Sequence, residues 1–76
     1  EVKAYADWTS GIRSLVAGEV EAAVESIDRS HSRFEQMEKD RLAARTQTSK
    51  VYALALLGRY DEAVKCGEAA LEIYVK

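Results

Sequence analysis

The sequence has no proline and only four glycines, one cysteine, one tryptophan and one phenylalanine among its 76 residues. A β protein of this length normally needs more turn-forming residues, so their scarcity excludes most β folds and favours helices. A single cysteine excludes an internal disulfide, so a core this small has no covalent cross-link to support it. These absences predict an all-α chain whose stability comes from side-chain packing.

The chain also lacks a basic surplus and a long apolar segment. Its formal net charge is -2, whereas nucleic-acid-binding domains normally carry a basic surplus on one face, so we expect no nucleic-acid partner. Its longest apolar run, Val51 to Leu57, is far shorter than the roughly twenty residues that cross a bilayer, so we expect no membrane partner. The first residues lack the features of a signal peptide, and we expect a cytoplasmic protein.

Apolar residues recur at spacings of three and four along four segments, which is the period of an amphipathic helix. We predict helices near residues 3–17, 19–37, 41–57 and 60–75. Gly18 and Gly58 follow the first and third segments, and a left-handed glycine commonly ends a helix. Asp40 is predicted to cap the third helix. The chain is therefore predicted to form two antiparallel helix-turn-helix hairpins.

The two hairpins are related by a shift of forty residues, which places Gly18 on Gly58, Ala23 on Ala63 and Phe34 on Tyr74. Because a small residue follows both turns, we expect Ala23 and Ala63 at the closest contacts between helices. The residues predicted to pack the repeats together are Gly11, Gly18, Ala23, Ile27, Phe34, Gly58, Tyr60, Ala63, Gly67, Ala70 and Tyr74.

The segment Leu57 to Ala63, Leu-Gly-Arg-Tyr-Asp-Glu-Ala, resembles the inter-helix turn of a tetratricopeptide repeat, and Ala70 to Ile73 resembles the end of its second helix. The period of forty residues is similar to the long-helix bacterial type of this family. The resemblance implies one domain, residues 1–76, with repeats near 1–39 and 40–76 that belong to a longer α-solenoid.

In this family the first helix of each repeat lines a groove that receives a partner protein or peptide, which implies a binding role for the first and third helices here. Trp8 lies in the most concentrated aromatic patch of the chain, and tryptophan is favoured both in interfaces and in small cores. Core packing is the preferred interpretation of this patch, and partner binding is the alternative. The implied partner-binding residues are Tyr5, Trp8, Ile12, Arg45, Thr48 and Tyr52.

Few side chains offer chemistry. Cys66 and His31 are the only candidates for a nucleophile and its base, and the forty-residue shift places His31 level with Leu71, too far from Cys66 for a hydrogen bond. We therefore interpret Cys66 as structural and expect no enzyme activity. His31 with Asp28 and Glu35 has the spacing of a one-sided metal site, but a half-buried packing histidine is the preferred interpretation. We expect no metal and no cofactor.

A cluster of basic residues at the third helix is the one place where an acidic ligand could bind. Acidic residues lie within it, so a solvated face with internal ion pairs is the preferred interpretation. The cluster comprises Lys39, Arg41, Arg45 and Lys50, with Glu38 and Asp40 among them.

Three functions remain open at this point. The leading hypothesis is a non-catalytic scaffold for protein–protein interaction. The alternatives are a regulatory or sensor segment of a larger bacterial signalling enzyme or transcription regulator, and a self-assembly module. Since repeat hairpins bury their apolar sides only against neighbours, the isolated chain is expected to self-associate. The expected contact residues are Tyr5, Trp8 and Ile12 at one end and Leu71, Tyr74 and Val75 at the other.

Overall fold

The computed structural model describes residues 2–74, apart from the side chain of Tyr74. It contains four α-helices: α1 (Val2–Val16), α2 (Val20–Gln36), α3 (Asp40–Leu56) and α4 (Tyr60–Tyr74). No strand occurs within the described residues, so the predicted all-α fold of two hairpins is confirmed. The predicted helix ends agree to within one residue, and the end predicted at Val75 lies outside the described residues.

Gly18 and Gly58 reverse the chain inside each hairpin. Both adopt the left-handed conformation, with φ of 83° and 78°. The amide of Gly18 donates to the Leu15 carbonyl at 3.1 Å, and that of Glu19 donates to the Ser14 carbonyl at 2.8 Å. This pair of bonds forms a Schellman motif. Gly58 forms the same motif, which confirms the predicted turns.

Glu38 forms a third Schellman motif between the hairpins, although it is not a glycine. Its φ is 58°, and its amide donates to the Glu35 carbonyl at 3.0 Å. The N-cap position of α3 is Lys39, which makes no side-chain cap bond. The predicted cap at Asp40 is therefore wrong. Asp40 already lies in the first turn of α3, where a carboxylate interacts favourably with the helix dipole.

Hairpin 1, formed by α1 and α2, is closed by a very close approach at Gly11. A Cβ atom at this position would lie 2.7 Å from Ile27 Cγ1 and 3.3 Å from the Ala23 carbonyl oxygen. Asp7 of α1 also accepts hydrogen bonds from Arg33 Nε at 2.9 Å and Arg29 Nε at 3.5 Å. Glycine is therefore the residue that lets these two helix backbones meet.

Hairpin 2, formed by α3 and α4, packs through smaller side chains. Ala63 and Ala70 are buried, as is Leu54 of α3. Gly67 faces Val51, but a Cβ at Gly67 would lie 3.6 Å from Val51 Cγ2, an ordinary contact. Ala63 and Ala70 thus take the packing positions that the sequence predicts for them.

Three other apolar residues of α4 do not pack. Tyr60, Val64 and Leu71 are 66%, 60% and 59% exposed, so the expected packing role of Tyr60 is wrong. They lie beside the side of α4 that contacts α3. The helix carries two adjacent apolar stripes, and α3 covers the one with the smaller residues.

The hairpins are joined mainly by α2 and α3, while α1 and α3 share only a small contact. The core here is built on Phe34, which is fully buried with Ala4 and Ala43. The rings of Tyr5 and Trp8 meet Phe34 edge-on, with centroids 5.1 Å and 6.1 Å away. Within the described residues α2 and α4 do not touch, so α3 is the central helix.

Candidate functional site: the α1–α3 face

The residues expected to bind a partner lie on one side of α1 and on the corresponding side of α3. Spacings of three and four place each set on a single side of its helix. The forty-residue shift relates all three members of the two sets, since it carries Tyr5 to Arg45, Trp8 to Thr48 and Ile12 to Tyr52. We call this surface the α1–α3 face, and it comprises Tyr5, Trp8 and Ile12 of α1 with Arg45, Thr48 and Tyr52 of α3.

Trp8 connects the two helices of this face. Its indole Nε1–H donates to Ser49 Oγ at 3.3 Å, and the guanidinium of Arg45 lies 5.7 Å from the ring centroid. A cation over an aromatic ring is attracted by the negative face of the ring. The inner edge of Trp8 packs against Phe34, so Trp8 is half-buried. Trp8 therefore belongs both to the core and to the α1–α3 face.

The rest of the face is open to solvent. Tyr5 and Ile12 are each 41% exposed and Tyr52 is 59% exposed. Thr48 is also exposed, and its hydroxyl donates to the Arg45 carbonyl at 2.6 Å. The surface therefore offers aromatic and aliphatic side chains that are only partly used within the chain.

Sequence reasoning missed part of this face. Val16 and Leu56 are exposed beyond Ile12 and Tyr52, and Ser49 holds the indole of Trp8. The shift of forty residues relates Val16 to Leu56, so the repeat itself carried the signal. Ser49 had no such signal, because only the packing of α1 on α3 brings it to Trp8.

Arg45 is the one charged residue in the set that defines the α1–α3 face. Within residues 2–74 its guanidinium has no carboxylate partner and stacks only on Trp8. A guanidinium can hold a carboxylate through two parallel hydrogen bonds. The face thus presents one unpaired cation among apolar rings.

The structure separates the other basic residues of the predicted cluster. Lys50 binds Asp28 of α2 at 2.8 Å, on the side of α3 that faces away from the α1–α3 face. Lys39, Asp40 and Arg41 line a depression between the start of α3 and Ile73 of α4. The residues do not form one continuous basic surface.

Cys66 and His31 are engaged in separate contacts. The Cys66 thiol donates to Gln47 Oε1 at 3.0 Å, and burial raises the pKa of this thiol. A protonated thiol is a poor nucleophile at neutral pH. His31 Nδ1 lies 3.0 Å from the Ala43 carbonyl oxygen, and its Nε2 lies 3.3 Å from Glu35 Oε1. The two residues do not form a nucleophile–base pair.

Asp28 does not join His31 and Glu35, because its carboxylate is paired with Lys50 on α3. Across residues 2–74 the His, Cys, Asp and Glu side chains form no group of three that could hold a metal ion. In the same part of the chain, every helix falls short of the length and apolar character needed to cross a bilayer.

The chain has no significant match among protein-family models, curated proteins or solved structures. The tetratricopeptide interpretation therefore stays a prediction from the turn and helix-end residues.

Proposed function

We propose that the chain is a non-catalytic protein-binding module of the tetratricopeptide type, and that its α1–α3 face receives a peptide segment of a partner protein. The observation that carries the proposal is the set of exposed apolar side chains around the Trp8–Arg45 pair, which are Tyr5 and Ile12 on α1 and Tyr52 on α3. Each of them lies on the first helix of a hairpin, where the resemblance implies a binding groove.

The side chains of the face suit the recognition of a peptide. Tyr5, Ile12 and Tyr52 are partly exposed rings and aliphatic groups, and large rigid side chains of this kind contribute most to binding energy at interfaces. The phenol groups and the Thr48 hydroxyl can form hydrogen bonds at the edge of the apolar area. A segment with alternating apolar and polar residues would satisfy both.

The unpaired charge of Arg45 adds a requirement on the partner. A guanidinium that loses water on binding needs a compensating acceptor, and no carboxylate of residues 2–74 supplies one. We therefore expect the bound segment to contain an acidic residue placed beside the Trp8–Arg45 pair.

The contacts of Cys66 and His31 support a binding role over a catalytic one. The thiol is hydrogen-bonded to Gln47, and the imidazole is held between Ala43 and Glu35. Neither is directed toward the α1–α3 face, and the face itself carries no nucleophile with an adjacent base.

The test uses Trp8, the only tryptophan of the chain, as a fluorescent reporter inside the site. Peptides are selected against the protein from a random displayed library, and the best binders are titrated. We expect selected peptides that combine apolar residues with Asp or Glu. Tyr52→Ala should weaken binding at least tenfold, which corresponds to about 1.4 kcal/mol. Arg45→Ala should weaken binding and reduce its salt dependence.

Tyr60→Ala is the matched control, because Tyr60 is an equally exposed tyrosine on α4. It should leave peptide affinity unchanged. Peptides that bind Tyr52→Ala as tightly as the unmodified protein, or that lose affinity only with Tyr60→Ala, would place the site elsewhere and contradict the proposal.

A further inference from the structure

The α1–α3 face has two unlike ends. At one end lies Arg45, whose guanidinium stacks on Trp8 and has no carboxylate partner within residues 2–74. At the other end both helices expose further apolar side chains beyond the set that defines the face, since Val16 is 85% exposed and Leu56 is 54% exposed. A bound segment therefore meets a positive charge at one end of the face and an apolar surface at the other.

Four exposed side chains form the second of these ends, which we call the apolar end. They are Ile12 and Val16 of α1 with Tyr52 and Leu56 of α3. In each helix the two residues are four apart, which places them one turn from each other on the same side. The forty-residue shift carries the pair on α1 to the pair on α3. The apolar end is thus suited to one large apolar side chain of a ligand.

Trp8 closes the floor between the two ends. Its indole Nε1–H donates to Ser49 Oγ at 3.3 Å, so the side chains of α1 and α3 meet directly at this level and leave no deep groove between the helices. A helical ligand lays its apolar side into a groove. An extended segment can instead lie along a shallow surface and direct every second side chain into it. The floor at Trp8 therefore suits an extended segment.

The rise of α3 gives the distance between the two ends. Arg45 precedes Tyr52 by seven residues and Leu56 by eleven. At about 1.5 Å per residue, the middle of the apolar end lies about 13–14 Å from Arg45 along the helix. Four residues of an extended chain cover about 13 Å, and the fourth residue points to the same side as the first. A spacing of four therefore satisfies both the distance and the direction.

We propose that the α1–α3 face selects extended segments in which an acidic residue lies four positions from a large apolar residue. This selectivity rests on the proposed peptide-binding function and specifies its ligand. The acidic side chain pairs with the Arg45 guanidinium, which can hold a carboxylate through two hydrogen bonds, and the apolar side chain packs on the apolar end. The spacing is the same for both directions of the segment, because a distance sets it.

The test is a series of synthetic peptides titrated against the fluorescence of Trp8. Each peptide consists of Ser and Thr with one Glu and one Phe, which are placed two to seven positions apart and in both orders. Affinity should be highest at a spacing of four. It should fall by about threefold or more at three and five, where the two side chains point to opposite sides of an extended chain.

Variants assign each end of the peptide to its site. Replacing Glu by Gln in the spacing-four peptide should weaken binding to the unmodified protein and should have no effect on binding to Arg45→Ala. Arg13→Ala is the matched control, because Arg13 is an exposed arginine next to Ile12 on α1, and this variant should keep the preference for Glu. Leu56→Ala should remove the preference for Phe over Ala. Circular dichroism checks that each variant keeps its helices.

Self-association is controlled in the same experiment. The sequence predicts contacts between copies through Tyr5, Trp8 and Ile12 at one end of the chain and Leu71, Tyr74 and Val75 at the other. The side chains of Tyr74 and Val75 lie outside the described residues. Because contacts through Trp8 or Ile12 would compete with peptides, sedimentation velocity checks the mass of the chain at the concentrations used for titration.

Three results would overturn the spacing rule. One is equal affinity across the series, and another is a preference for Glu that survives in Arg45→Ala or disappears in Arg13→Ala. The third is an optimum at seven positions with a peptide that becomes helical on binding, which would mean that the face receives a helix. If library peptides still lose affinity with Tyr52→Ala in these cases, the binding function stands and the rule alone fails.

Discussion

Hairpin 1 and hairpin 2 have the same arrangement of helices and turns. They differ in which helix carries the large residue and which carries the glycine at the closest contact. In hairpin 1 the glycine is on the first helix, where Gly11 faces Ile27 of the second. In hairpin 2 the large residue is on the first helix, where Val51 faces Gly67 of the second. The forty-residue shift relates Gly11 to Val51 and Ile27 to Gly67. Large and small residues have exchanged helices at equivalent positions.

Among the described side chains, the second helix of hairpin 2 buries smaller residues than the second helix of hairpin 1. Hairpin 1 contributes Phe34, fully buried and in contact with two aromatic rings. Helix α4 contributes Ala63 and Ala70 and exposes Val64 and Leu71. The second helix of one repeat can therefore bury a large residue in the core, while the second helix of the next exposes large residues at its surface.

The largest expected effect tests whether Phe34 dominates the core. Phe34→Ala should lower the free energy of unfolding by about 3–5 kcal/mol, because it removes a fully buried ring and leaves a cavity. Tyr52→Ala is the control, since this exposed side chain should change stability by no more than about 0.5 kcal/mol. Urea denaturation followed by circular dichroism measures both.

If Phe34→Ala does not fold, Phe34→Leu gives a smaller, measurable loss in the same experiment. Equal stabilities for Phe34→Leu, Tyr52→Ala and the unmodified chain would show that the aromatic cluster does not hold the hairpins together. The contrast between the two hairpins would then be one of shape alone.

The helices and their turns were readable from the sequence because local signals specify them. Gly18 and Gly58 end helices through a backbone conformation that glycine adopts without strain, and the spacing of apolar residues sets the helices between them. Glu38 could not be read in this way, since a glutamate has no preference for the left-handed conformation that it adopts there.

The site was readable only in part, because periodicity finds an apolar stripe without showing which neighbour covers it. Helix α4 has two adjacent apolar stripes, and periodicity alone does not show which of them packs against α3. In the structure α3 covers Ala63 and Ala70 and leaves Val64 and Leu71 exposed. The choice depends on how closely two backbones approach, which is a property of the packed pair. Trp8 is a second example, because periodicity could not show that it both packs on Phe34 in the core and contacts Ser49 on α3.

The next prediction compares the two glycines at the exchanged positions. Gly11→Ala should lower the free energy of unfolding by about 1–3 kcal/mol, because the added methyl group overlaps Ile27 and the α2 backbone. Gly67→Ala should raise it by up to about 1 kcal/mol, because the methyl group meets Val51 at an ordinary distance and alanine favours the helix. The same denaturation experiment measures both.

The double variant Gly11→Ala with Ile27→Ala is the control for steric overlap. The cost of the alanine at position 11 should fall by about 0.5–3 kcal/mol once Ile27 is truncated. If Gly11→Ala and Gly67→Ala change stability equally, the two hairpins are packed equally closely, and the exchange of large and small residues has no energetic consequence.

The smallest expected effect tests whether the turn between the hairpins behaves like the turns within them. Gly18, Glu38 and Gly58 form the same motif at intervals of twenty residues, but only Glu38 carries a side chain. A non-glycine residue in this conformation destabilises the folded chain by about 1–2 kcal/mol. Glycine removes this strain, but its greater freedom in the unfolded chain offsets about 0.4–1 kcal/mol of the gain. Glu38→Gly should therefore stabilise the chain by up to about 1 kcal/mol.

Gly18→Ala and Gly58→Ala should each destabilise the chain by a similar amount, since a Cβ at either glycine would meet nothing within 4 Å and only backbone strain changes. A loss of stability in Glu38→Gly would mean that the Glu38 side chain supports the turn between the hairpins, and that this turn differs in kind from the turns within each hairpin.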